Sequence, residues 1–111
     1  SKMNYEKLSK LVIEWGKDKQ ILEKSTPLRQ LDKTQEELEE TRAALVKLTA
    51  PNAQEIDAIE EVKDGIGDML VTIILLAEMV GMDTPDCLQT AYDVIKKRTG
   101  KMVNGQFKKD E

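Results

Sequence analysis

With 111 residues, 40% hydrophobic and 34% charged, the chain has the size of one domain, residues 1–111, and can bury a core beneath a strongly ionic surface. A net charge of −4 disfavours a nucleic-acid binder, and one cysteine with no histidine excludes an internal disulfide and leaves zinc short of ligands. Four aromatic residues against many Leu, Ile, Glu and Lys point to an all-α fold.

Ser1-Lys2 reads as a remnant ahead of a native start at Met3, with no signal-peptide pattern behind it. Tyr5, Leu8, Leu11, Val12 and Trp15 recur at three- and four-residue spacing, which predicts an amphipathic helix over about residues 3–23. Ser25-Thr26-Pro27 marks a break and the cap of a second helix. Leu28, Leu31, Leu38, Leu45 and Leu48 give that helix an apolar stripe, and it ends near Thr49 ahead of Pro51 and Asn52. A third helix is predicted from Gln54 to about Val80. Its second half, Met69 to Ala77, is apolar nearly all round, as in a helix buried from several sides or shared with another subunit. The apolar run is too short to cross a membrane and contains Glu78, so the cytosol is the expected location. Thr84-Pro85-Asp86 opens a fourth helix that stops before Gly100, and Asn104-Gly105 between apolar residues predicts a short hairpin. Cys87 and the methionines read as packing residues.

Two acidic clusters stand out from this frame. Glu36, Glu37 and Glu40 share one face of the second helix; Glu61, Asp64 and Asp68 project from one side of the third. If the two helices pack antiparallel, the clusters converge. Carboxylates beside an apolar run are costly to bury unless neutralised, and the hard oxygen-ligated ion suited to the task is Mg²⁺, which commonly shares its shell with phosphates. The bland reading is a solvated face paired with Lys33, Arg42 and Lys47; it suits Glu36–Glu40 alone better than it suits Asp68, which opens the apolar run. Lys96-Lys97-Arg98 with Lys101 either complements a helix C-terminus or cradles the phosphates of a nucleotide, Arg98 being best shaped for bidentate contact. Trp15 is a core residue on the bland reading and a stacking platform for a base on the other. Gly65 and Gly67 allow close helix approach or room for a ligand.

These residues resemble the all-α nucleoside triphosphate pyrophosphohydrolases of the MazG type. Glu36-Glu37-x-x-Glu40, preceded by Lys33, matches the first motif of that family; Glu61-x-x-Asp64 matches the second; Gly67-Asp68-Met69-Leu70 is similar to the opening of its long buried helix. Gly65 stands where many members carry a second Glu, as in a small, often phage-encoded branch whose chains also end like Arg98-Thr99-Gly100-Lys101 and Asn104-Gly105-Gln106-Phe107. The resemblance implies a four-helix MazG-type bundle with a short C-terminal tail or hairpin, assembled as a homodimer or homotetramer. It implies cleavage of a nucleoside triphosphate between the α- and β-phosphates with Mg²⁺, or Mn²⁺ in its place. Glu37, Glu40 and Asp68 would hold metal, with either Glu61 or Asp64 as a further ligand. Glu36 and Glu37 would be the catalytic residues, Glu36 as a further ligand or as the group that orients the attacking water, and Lys33, Lys97, Arg98, Lys101 and Trp15 would meet substrate. Nucleotide-pool control follows, and some phage members deplete a purine deoxynucleotide such as dGTP. The competing expectation is a non-catalytic helical interaction module. No nucleic-acid or membrane partner is expected.

Overall fold

The computed structural model describes residues 2–50 and 55–111. Five helices are followed by two strands: α1 (Tyr5–Asp18), α2 (Ile21–Lys24), α3 (Pro27–Thr49), α4 (Glu55–Met79), α5 (Thr84–Ile95), β1 (Gly100–Val103) and β2 (Gln106–Lys109). The helix starts are written in local chemistry. Asn4 accepts from the Lys7 amide at 2.9 Å, Thr26 from Arg29 at 3.2 Å, and Asp83 from Asp86 at 2.8 Å, each satisfying one orphan donor of a first turn. Pro27 sits in the first turn of α3, as expected. Pro51, Asn52 and the predicted start at Gln54 lie outside the described residues.

The first predicted helix is not continuous. The Lys19 amide bonds the Trp15 carbonyl, the Gln20 amide bonds the Lys17 carbonyl, and Gln20 adopts a left-handed conformation at φ 64°. This break redirects the chain so that Ile21 and Leu22 become half-buried and α2 approaches α4.

Helices α3 and α4 form the principal contact. Lys47 meets Glu61, Thr41 lies against Gly65, and Gln30 meets Thr72, so the two helices run antiparallel. A side chain at Gly65 would collide with the Thr41 hydroxyl and come within 3.3 Å of its Cα; Gly65 therefore sets the close approach, while a Cβ at Gly67 would meet nothing within 4 Å. Helix α1 crosses α4, with Gly16 against Leu75, the most deeply buried large side chain.

The buried side of α3 is Gln30, Glu37, Thr41 and Ala44, and not its leucine stripe. Leu31, Leu38 and Leu45 follow the seam positions Gln30, Glu37 and Ala44 by one residue, and all three are exposed. On α4, Ile59, Ile66 and Ile73 stand one residue after Ala58, Gly65 and Thr72 and are exposed as well. In an antiparallel pair, a step of one residue rotates both helices toward the same side of the seam. The six side chains therefore form one continuous apolar face. Of the helix-one stripe, Val12 is half-buried, whereas Tyr5, Leu8, Leu11 and Trp15 are exposed.

Helix α5 leaves the direction of α4 by 98°. Among the described residues, α5 approaches only α4 through its backbone, and the hairpin pairs only with itself. Asn104 and Gly105, with φ of 50° and 80°, make the tight turn that the sequence predicts. Leu88, Tyr92, Val94, Ile95, Met102 and Phe107 are exposed along this arm; so is Cys87, contrary to its expected packing role. The radius of gyration is 16.8 Å, against about 13 Å for a compact chain of this length. The accessible surface is 8999 Å², about 2,800 Å² above that of a typical compact monomer. The chain is mostly helical, as expected of an all-α fold. Among the described residues, no single helix is long and apolar enough to cross a membrane.

Candidate functional site

Glu37 is the centre of the site. It projects from the seam face of α3 and is 9% exposed. Its Oε1 lies 3.6 Å from the Lys33 Nζ, while Oε2 is buried with no hydrogen-bond partner. Burial pushes the Glu37 carboxyl above the usual carboxylate range, the adjacent Glu40 carboxylate adds to the rise, and Lys33 opposes it. The Lys33 amine is held above its ordinary value, first by Glu36 at 3.3 Å and then by Glu37. Two neighbouring carboxylates, one with an oxygen that is buried and unpaired, form an arrangement that a cation would neutralise.

From α4, Asp68 reaches the same place. It lines a cavity of about 210 Å³ together with Glu37, Lys33, Gln30, Thr72 and Trp15. A second cavity of about 340 Å³ adjoins it through Trp15, Asp68 and Val71. The side chain of Trp15, 46% exposed, thus stands between two cavities beside an acidic residue instead of inside the core. A larger cleft of about 710 Å³ lies between the N-terminal ends of α1 and α5, remote from Glu37. Most of its polar groups already have partners: Asn4 and Asp83 cap their helices, Glu6 pairs with Lys10 at 3.7 Å, and the Tyr5 hydroxyl shares a bond of 2.7 Å with that of Thr84.

The remaining predicted residues are placed as follows. Glu36 is exposed and paired with Lys33. Glu40 is exposed beside Glu37. Glu61 is held by the Lys47 Nζ at 3.0 Å, farther along the seam, and Asp64 is exposed with no ion pair among the described residues. Lys97, Arg98 and Lys101 lie on the α5–hairpin arm, which does not approach α3, so a single chain does not bring them to the acids. The Lys96 amine bonds Asp93 at 3.1 Å and sits 5.7 Å from the Tyr92 ring centroid. Among the described residues, no three carboxylates stand close enough to surround an ion by themselves. The donor set still fits a hard cation such as Mg²⁺, which takes one or two carboxylates and fills the rest of its shell with water and phosphate oxygens.

Gln30 and Thr72 were not anticipated as site residues. A signal for Gln30 existed, since it stands seven residues before Glu37 and shares its helix face. Compared with protein-family models, curated proteins and solved structures, the chain matches none.

Proposed function

We propose that the protein is a Mg²⁺-dependent nucleoside triphosphate pyrophosphohydrolase of the kind its two acidic motifs resemble. The observation that carries this reading is the buried, unpartnered Glu37 Oε2 beside Glu40, in a cavity shared with Asp68 and Lys33. Of Glu37, Glu40 and Asp68, one or two would ligate the ion directly and the others would hold it through its water shell, with Asp64 freer than Glu61 to assist because Glu61 is engaged by Lys47. A bound Mg²⁺ draws charge from the phosphates and sharpens an attacking water. Glu36, exposed at the rim, would orient that water. A cation held at Glu37 would take over the neutralising role that Lys33 now has there and leave its ammonium for a phosphate oxygen. Mn²⁺ would serve where Mg²⁺ does. Attack would yield a nucleoside monophosphate and pyrophosphate, suiting a role in nucleotide-pool control in the cytosol, purine deoxynucleotides such as dGTP included.

A second copy of the chain is the partner that best suits this reading. The excess exposed surface, about 2,800 Å², exceeds the roughly 800 Å² that each member of an ordinary complex contributes. The face of Leu31, Leu38, Leu45, Ile59, Ile66 and Ile73 is apolar at helical repeat on two adjacent helices, as a self-complementary interface requires. In such a dimer or tetramer, the arm of one copy is the route by which Lys97, Arg98 and Lys101 would reach the acids of another. The same exposed surface favours the alternative of a non-catalytic interaction module.

A pyrophosphate-release assay over the eight common ribo- and deoxyribonucleoside triphosphates decides between them. Pyrophosphate, not orthophosphate, is expected with Mg²⁺, and is expected to be lost in Glu40→Gln and Asp68→Asn. Full activity in both variants overturns the assignment, and calorimetry showing binding of neither Mg²⁺ nor nucleotide overturns it in favour of the interaction module.

A further inference from the structure

The side chain of Gln30 is polar, 96% buried and built into the wall of the acidic cavity. Its Nε2 donates to the Thr72 carbonyl at 3.1 Å. A carbonyl only accepts, so the atom held there must be the nitrogen, and the amide cannot flip. Oε1 therefore points away from Thr72, and among the described residues no donor is bonded to it. Thr72 is fixed in turn, its hydroxyl donating to the Met69 carbonyl at 2.7 Å. The result is an acceptor of set direction on rigid helical supports. The half-exposed Trp15 indole lines the same cavity, as do Glu37, Asp68 and Lys33.

From this geometry we infer that the cavity between Trp15 and Gln30 is a nucleobase pocket, in which the base lies against the Trp15 indole and donates an amino or imino N–H to Gln30 Oε1. The inference rests on the nucleotide reading of the acids and adds the residues that choose the base. Aromatic stacking provides affinity with little selectivity, because every base has a π-face. The pinned amide provides selectivity, because an acceptor of fixed direction, enclosed once the base is seated, penalises any base that presents another acceptor to it. The polar wall explains why α3 buries a glutamine, and the exposed indole has a partner of matching shape.

The test uses the four α,β-imido deoxynucleoside triphosphates and base-free inorganic triphosphate, each with Mg²⁺, in calorimetry. Trp15 is the single tryptophan, so its emission reports occupancy in the native chain. At least one nucleotide is expected to quench Trp15 and to bind tenfold or more tightly than triphosphate. Trp15→Leu should weaken that nucleotide by roughly 5- to 150-fold. Gln30→Met should weaken it about tenfold and flatten preference among the bases. Both variants should hold triphosphate within a factor of two of the parent, which also shows that the fold survives, and Trp15→Phe should restore most of the loss. Equal weakening of triphosphate and nucleotide, or an unaltered ranking of the four bases in Gln30→Met, overturns the pocket while leaving the acidic site standing. Failure of triphosphate and nucleotides alike to bind removes the hydrolase reading and the pocket with it.

Discussion

Glu37→Gln should make the protein more stable without metal and less stable with it. The Glu37 carboxylate has one oxygen buried and unpartnered and a second carboxylate beside it. A buried polar group left unpaired costs about 1–3 kcal/mol. Its pairing with Lys33 at 3.6 Å offsets this only partly, because that lysine is half exposed and also holds Glu36, and such pairs contribute about 0–1 kcal/mol. Glutamine has the same shape and no charge, so a gain of about 1–2 kcal/mol is expected at neutral pH with metal chelated. In a domain of this size that corresponds to a melting temperature higher by roughly 4–10 °C. The advantage should shrink on acidification. The folded-state pKa of Glu37 is raised by burial, so the folded parent binds more protons than its unfolded chain between the ordinary and the raised value. Parent stability therefore falls as pH rises through that window and recovers as pH falls. Mg²⁺ at a hundred times its dissociation constant adds about 2.7 kcal/mol to the parent and little to the variant, reversing their order. Thermal melts at pH 5 and 7, with chelator and with Mg²⁺, measure all four terms. A variant that melts below the parent in chelator at pH 7 refutes the desolvation argument; equal Mg²⁺ stabilisation of both refutes Glu37 as a ligand.

Other substitutions separate the roles of neighbouring residues. Gly65→Ala should destabilise the fold by about 1–3 kcal/mol in urea melts, because a Cβ there meets Thr41 and forces α3 from α4. Gly67→Ala should instead stabilise it by about 1 kcal/mol through helix propensity, with open space around the new methyl. Glu61→Gln should cost less than about 1 kcal/mol and leave Mg²⁺ affinity unchanged, since Glu61 is spent on Lys47; weakened Mg²⁺ binding in Glu61→Gln and not in Asp64→Asn would reverse their ranking as ligands. Leu38→Lys places a charge in the exposed apolar face and should lower the assembly state seen by light scattering. If a dimer dissolves under Arg98→Ala and not under Leu38→Lys, that face is not the interface.

The chain by itself determined the helical character, the capped start of α3 at Thr26 and Pro27, the hairpin turn and which acids share a helix face. These follow from local chemistry: caps and Pro27 begin helices, Asn104-Gly105 accepts positive φ, and three- and four-residue spacing puts Glu37 with Glu40 and Asp64 with Asp68. Periodicity can show that a helix has an apolar face, but it cannot show which neighbour covers it. The leucine stripe of α3 was therefore legible, yet the seam with α4 runs one residue away, through Gln30, Glu37, Thr41 and Ala44, because Gly65 admits Thr41 there. The break at Gln20 escaped the pattern because it is a backbone conformation that no local residue demands. Tertiary packing alone decided that Glu37 is buried while Glu36 is not, that Trp15 lines a cavity, and that the basic arm stands apart from the acids. Burial and pairing between helices are properties of two surfaces in contact. One-dimensional spacing specifies each surface but not their register.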